Sequence, residues 1–317
     1  MSKVLLTDNI AKEALDVFSQ HPDIEAVVVG TLDPTELAGV LPEYDAVIIR
    51  SPTKLTKELI DAGTNLKFIG RAGVGVDNID IEAATARGIT VMNAPSGNTV
   101  STAEHTVAML MALARRIAQA DRSLREKRWD RSALKGVELS GKTVGVVGAG
   151  RVGREVARRL LAFDMRVLAF DPYIPADAIK DMGAEPADME TLFAESDFIT
   201  IHVPLGAETR SIIGTDEIAK MKDGVFLINC ARGGIIDEAA VQDALESGKV
   251  AGVAFDVFEN EPPGEHTFFS HERSVFTPHL GAATKDAQIR VAVDAAHNVA
   301  NALSKGEIQD AVNAPKS

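Results

Sequence analysis

Three polar residues in the second half of the chain each follow an apolar, β-rich run. Arg232 comes after Val225–Asn229, Glu261 after Val250–Val257, and His279 after Val275–Thr277. Their types suit dehydrogenation of a 2-hydroxy acid. Oxidising a secondary alcohol requires a base for the hydroxyl proton, and an imidazole titrates near neutral pH. A carboxylate on the other ring nitrogen sets the tautomer and stabilises the imidazolium. A guanidinium grips a substrate carboxylate with two parallel hydrogen bonds and polarises the adjacent oxygen. In an open parallel sheet the carboxyl ends of strands border the ligand crevice, so the three are placed to converge. Singly, each has a plainer reading: a histidine is more often structural than catalytic, and Arg232 and Glu261 also suit a surface pair.

Such chemistry needs a hydride acceptor. Gly148-Ala149-Gly150-Arg151-Val152-Gly153 fits the Gly-x-Gly-x-x-Gly pattern, preceded by the strand Thr143–Val147 and followed by an amphipathic helix. Glycines allow the tight turn and close backbone approach, and the helix N-terminus offers free N–H groups to a pyrophosphate. A second strand, Arg166–Phe170, ends at Asp171, eighteen residues after Gly153. An acid there accepts both ribose hydroxyls and repels a 2′-phosphate, which favours NAD over NADP. A similar run, Gly73-Val74-Gly75-Val76-Asp77-Asn78, has Asn78 in place of the third glycine and no matching acid-ended strand. It suits either a plain strand-to-helix turn or a nest of N–H groups for a small carboxylate.

The elements around these motifs alternate. Val4–Thr7, Ala26–Val29, Ala46–Ile49 and Lys67–Gly70 read as strands separated by helical patterns, and the alternation restarts near Lys142. This predicts an α/β chain with parallel sheets covered on both faces. The longest helical pattern, Ser101 to Lys127, carries Val107, Leu110, Leu113 and Ile117 at helical spacing and is expected to join two domains. A second helix is predicted from an N-cap at Thr284 to Gly306, with the stripe Ile289, Val293, Ala296, Ala300 and Leu303, packing back across both domains.

Composition narrows the classes. With 317 residues, 45% apolar and 25% charged, the chain is ordinary globular material of two-domain size. A net charge of −13 argues against general nucleic-acid binding, and 5% aromatics are too few for a base-stacking platform. One cysteine, Cys230, excludes an intrachain disulfide framework and a cysteine-cluster metal site, and no metal is expected. No signal-peptide pattern opens the chain, and the apolar stretch near residue 110 stops at Arg115-Arg116, short of a membrane span. The expectation is a soluble cytoplasmic protein. Cys230 reads as a small buried residue beneath Arg232, His105 as a packed or capped helix histidine, and His266 and His271 as loop residues without metal.

The runs Gly70-Arg71-Ala72-Gly73-Val74-Gly75-Val76-Asp77-Asn78, Val91-Met92-Asn93-Ala94-Pro95, Asn229-Cys230-Ala231-Arg232-Gly233-Gly234 and Pro278-His279-Leu280-Gly281-Ala282 together resemble the D-isomer-specific 2-hydroxyacid dehydrogenase family. The likeness spans Ala46 to Asn313 and is strongest to the branch acting on a phosphorylated substrate. It implies two Rossmann-like, doubly wound parallel-sheet domains: an NAD-binding domain at 98–288 inside a discontinuous substrate domain at 1–97 and 289–317. It implies that Arg232 binds substrate, Glu261 partners the histidine and His279 is the acid/base. Cofactor contacts are implied at Gly148, Gly150, Arg151, Val152, Gly153, Asp171, Pro204, Thr209, Cys230, Ala231, Arg232, Asp256, His279 and Gly281. Substrate contacts are implied at Arg50, Ser51, Asn98 and the Val74-Gly75 backbone.

The implied reaction is NAD-dependent oxidation of 3-phosphoglycerate to 3-phosphohydroxypyruvate, the entry to serine synthesis, by a homodimer or homotetramer paired through the helix after Ser101. A glutamate at position 261 argues against formate as substrate. Glyoxylate, hydroxypyruvate or another 2-keto acid is the alternative, and a dinucleotide-sensing corepressor a second. The expectation is either a naturally short form or a truncated chain, in both cases without the regulatory region of longer members. From Arg115 to Lys135 eight basic residues stand against three acids, which suits either a solvated helix end or a site where Arg131, beside Trp129, meets a substrate phosphate in the partner subunit.

Overall fold

The computed structural model describes residues 1–265 and 267–315; His266, Lys316 and Ser317 lie outside the described residues. The chain forms two compact units, Met1–Asn98 with Ala282–Ser317, and Thr99–Gly281. In the first, strands β1 (Ser2–Leu6), β2 (Ile24–Val28), β3 (Ala46–Ile49), β4 (Phe68–Arg71) and β5 (Thr90–Asn93) form an all-parallel sheet of order β2-β1-β3-β4-β5. In the second, β6 (Thr143–Val147), β7 (Arg166–Phe170), β8 (Glu185–Pro186), β9 (Phe198–Ile201), β10 (Val225–Asn229), β11 (Val250–Phe255) and β12 (Ser274–Phe276) form another, of order β12-β11-β10-β9-β6-β7-β8. Both sheets are doubly wound, as the alternation predicts.

Two faces are buried in each sheet because successive residues of a strand point opposite ways. In the first unit Val4, Leu6 and Ile48 pack with Val291, Ala295 and Val299 of the C-terminal helix, while Leu5, Val47 and Ile49 pack with Leu37, Leu59 and Ile60. In the second, Val144 and Val146 meet Leu110 and Leu160 on one face, and Ile199, Ile201 and Leu227 meet Ile218 and Val241 on the other.

The structure revises three expectations. The pattern 101–127 is two helices, Thr99–Ala114 and Ile117–Arg125, broken at Arg116, which adopts φ 55° and donates from Nη1 to the Ala133 carbonyl at 2.7 Å. The break rotates Ile117 off the buried stripe, so it is 55% exposed while Leu110 and Leu113 are buried. The C-terminal helix runs Lys285–Lys305 with Thr284 and Gly306 as caps; Ala296 and Ala300 of the expected stripe are fully buried, but Ile289, Val293 and Leu303 are only half-buried, and Ala292, Ala295 and Val299 are buried in their place. Small side chains there allow close approach to β4, and the whole helix falls within the first unit, whose second segment begins at Ala282 rather than at 289.

Candidate active site

Parallel pairing of β10, β11 and β12 brings the ends of three strands side by side. Past β12, His279 stands at φ 53°, a left-handed conformation uncommon for a side-chain-bearing residue and often tied to function. Its Nδ1 lies 2.7 Å from Glu261 Oε2, and Glu261 Oε1 accepts from the Phe258 N–H at 3.2 Å. Burial works to raise the Glu261 carboxyl. The His279 bond and charge, the Phe258 amide and the nearby Arg232 guanidinium outweigh it and hold the group below the ordinary carboxylate range. An ionised Glu261 accepts from Nδ1–H, which leaves His279 Nε2 as the acceptor face.

Arg232 follows β10 on a loop built by Asn229. The Asn229 amide donates to the Arg232 carbonyl at 2.9 Å and accepts from the Ala231 N–H at 3.0 Å, and Arg232 Nη1 donates to the Ala231 carbonyl at 2.7 Å. The Cys230 thiol beneath is pushed up to about 12, by burial first and the Asp256 charge second, so it is a packed, unreactive thiol.

The glycine fingerprint has the geometry a dinucleotide needs. Gly148 sits at φ 96°, and a Cβ there would lie 2.7 Å from the His202 carbonyl; at Gly153 a Cβ would lie 1.9 Å from the Gly148 carbonyl. The missing side chain at Gly153 is what lets the helix Arg151–Leu161 start tight against β6, with Gly150 exposed at its mouth. Asp171, at the end of β7, accepts from the Ala149 N–H at 2.8 Å through Oδ2 and the Tyr173 N–H at 2.9 Å through Oδ1. It thereby ties the phosphate loop to the expected ribose position. After β9, Pro204 and Thr209 form one turn, the Thr209 hydroxyl donating to the Pro204 carbonyl at 2.6 Å. Desolvation drives the half-buried His202 imidazole down to about 3, so it stays neutral. These residues fit NAD.

Asp256 plays a part that spacing did not reveal. Expected at the cofactor, its carboxylate is 0% exposed. It accepts from Leu280 and Gly281 N–H at 2.7 and 2.8 Å and from the Thr277 hydroxyl at 2.5 Å. It anchors the loop that carries His279. His105, expected only to pack or cap, lies on this same carboxylate at 3.2 Å. Nothing local in the sequence marks the pair, because its members meet only through tertiary packing.

In the first unit, the loop after β4 turns its polar carbonyls inward. Asn93 donates to the Val74 carbonyl at 2.7 Å, and Ala94 N–H to that of Gly73 at 2.9 Å. Among the described residues no partner takes the Val74 or Gly75 N–H, as an anion nest requires. The loop carrying Arg50 and Ser51 is held by Asp8, which accepts from the Arg50 N–H at 2.8 Å and the Thr53 hydroxyl at 2.8 Å, and by Asn78, which donates to the Arg50 carbonyl at 2.9 Å. Ser51 also accepts from Arg71 Nη2 at 2.8 Å. Asn98 is half-buried at the end of this unit's first segment.

The basic stretch is partly neutralised: Arg125 pairs with Asp121, Arg128 with Glu126 and Asp130, and Arg116 lies 3.7 Å from Glu272. Arg131 is exposed beside Trp129, itself 80% exposed. His271 accepts the Arg273 N–H at 3.3 Å. Among the described residues no helix is long and apolar enough to cross a membrane.

Residues 107–281 match the family model of the D-isomer specific 2-hydroxyacid dehydrogenase, NAD binding domain. The chain is 48% identical over 314 residues to a D-3-phosphoglycerate dehydrogenase of Archaeoglobus fulgidus, covering 99% of this chain and 59% of that protein. It is 46% identical over 295 residues to a hydroxypyruvate reductase of Thermotoga maritima, covering 92% of this chain and 95% of that one. A solved glyoxylate reductase from Paecilomyes thermophila superposes with a TM-score of 0.87 at 32% identity, covering 98% of each chain. The chain therefore spans less than two thirds of the length of the Archaeoglobus relative.

Proposed function

From the premise that this chain belongs to the D-isomer-specific 2-hydroxyacid dehydrogenase family, we propose that it oxidises 3-phosphoglycerate to 3-phosphohydroxypyruvate with NAD. The observation that carries the chemistry is the 2.7 Å His279–Glu261 pair, on the same unit as the glycine fingerprint. NAD, when bound, supplies the hydride acceptor. His279 Nε2 takes the hydroxyl proton while Glu261 holds the ring and balances its charge. Arg232 grips the substrate carboxylate and polarises the oxygen on the carbon being oxidised. Val74 and Gly75 N–H groups, with Arg50, Ser51 and Asn98, are assigned to the substrate. Arg151, Val152, Pro204, Thr209, Ala231, Asp256 and Gly281 are assigned with the fingerprint glycines and Asp171 to the cofactor's surroundings.

The phosphate is assigned to Arg131, acting in a dimer or tetramer. What supports this is its exposure and its freedom from ion pairs among the described residues, beside paired neighbours Arg125 and Arg128. A buried thiol at the single cysteine suits a reducing compartment such as the cytoplasm.

A second reading is favoured by the Thermotoga relative, which this chain matches over 95% of its length: reduction of hydroxypyruvate or a similar 2-keto acid. The deciding assay follows NADH formation and consumption across phosphorylated and unphosphorylated hydroxy and keto acids. Highest kcat/KM with 3-phosphoglycerate supports the first reading, and preference for an unphosphorylated acid supports the second. NAD binding without turnover of any acid points to a dinucleotide-sensing role.

A further inference from the structure

We infer that His105 is a positioning residue for the acid/base loop, acting through the buried carboxylate of Asp256. The inference rests on the role proposed above for His279. His105 lies on the helix Thr99–Ala114, 172 residues before Thr277 in the chain. Its Nε2 is 3.2 Å from Asp256 Oδ1 and 3.1 Å from Thr277 Oγ1.

Proton accounting decides the direction of these bonds. Thr277 has one hydroxyl hydrogen, and Asp256 Oδ1 at 2.5 Å is a stronger acceptor than the Met109 sulfur at 3.6 Å. The hydroxyl therefore shows His105 a lone pair, and Nε2 must carry a hydrogen shared between Thr277 and Asp256.

Asp256 needs that donor. A carboxylate with no exposure is costly to keep ionised unless it is paired and fully bonded. Among the described residues, His105 is the one group able to carry positive charge that bonds to it. The other groups facing this cluster do not supply one: Cys230 is a buried neutral thiol, and Glu104, the neighbour of His105, points to Arg159.

Asp256 in turn holds the loop on both sides of His279. Its side chain takes the N–H groups of Leu280 and Gly281, and its carbonyl takes the N–H of His279 at 2.8 Å. Those three bonds keep His279 in its left-handed backbone conformation, with Nδ1 aimed at Glu261. Without His105 the carboxylate protonates or draws in water, and the loop loses part of its anchor.

The test compares wild type, His105→Leu and His105→Gln, because a glutamine places a donor close to where Nε2 stands. Hydrogen exchange is read on the amides of residues 277–281, alongside kcat and KM for 3-phosphoglycerate. His105→Leu should speed exchange there about tenfold and lower kcat about tenfold, with KM within about twofold. His105→Gln should restore both to within about threefold. Unchanged loop exchange in His105→Leu overturns the inference, as does an equal loss in both variants. If His105→Leu does not fold, His105→Asn, whose amide stops short of Asp256, takes its place with the same expectations. Wild type without turnover on any acid defeats the proposed activity, while the exchange readout still decides the role of His105.

Discussion

Nδ1 of His279 and Oε2 of Glu261 stand 2.7 Å apart although the residues are separated by eighteen positions. They meet because β11 and β12 run side by side and deliver their following loops to the same end of the sheet. Removing the imidazole should therefore abolish proton transfer and leave the fingerprint intact. His279→Ala should lower kcat about 10²–10⁴-fold, and Glu261→Gln about 10²-fold, with NADH affinity little changed by fluorescence titration. A near-normal rate in His279→Ala would move the proton to another group.

Acid should act through the same pair. Glu261 and Asp256 are both held below their ordinary ranges in the folded protein, by bonds and charges that overcome burial. Their stabilising contribution is complete above the ordinary carboxylate values and is lost as pH falls through the folded ones. Thermal stability should hold to about pH 5 and decline below about pH 4.5, with a shallower decline in Glu261→Gln. A decline of the same steepness in that variant would assign the effect to other carboxylates.

Asp171 has two tasks, and its substitution should show both. Asp171→Ala removes the charge proposed to repel a 2′-phosphate and also the acceptor for the Ala149 and Tyr173 amides. The ratio of kcat/KM for NADP over NAD should rise about tenfold or more, while KM for NAD itself also rises. A variant that still rejects NADP would show that discrimination lies elsewhere.

Arg131→Ala should raise KM for 3-phosphoglycerate about tenfold and leave unphosphorylated hydroxy acids unaffected, since a guanidinium pairs strongly with phosphate. Steady-state kinetics on a preparation of measured oligomeric state decide it, and an unchanged KM removes Arg131 from the site.

Much of this molecule is legible along the chain because its signals are local. Apolar runs bounded by turns mark strands such as Thr143–Val147 and Val225–Asn229 to the residue, since both faces of a parallel sheet are buried. The glycine fingerprint and Asp171 are readable for the same reason: turn, helix start and strand end all fall within one βαβ unit. Arg232, Glu261 and His279 are legible as candidates by type and by position after strands. Their roles come from family likeness rather than spacing.

Contacts distant in sequence decided the rest. At Arg116 the backbone turns left-handed and the side chain reaches the distant Ala133 carbonyl, so a continuous apolar period misled across it. The buried face of the C-terminal helix was set by how closely Val291, Ala295 and Val299 approach the first unit's sheet. Asp256 and His105 carry no local signature; burial of a carboxylate among donors from separate segments made them a pair. Sequence by itself determined the α/β alternation, the cofactor motif and the types of the reacting groups, because propensity and spacing act between near neighbours. Only tertiary structure decided which donors meet which buried acceptors, because a hydrogen bond depends on distance in space and not along the chain.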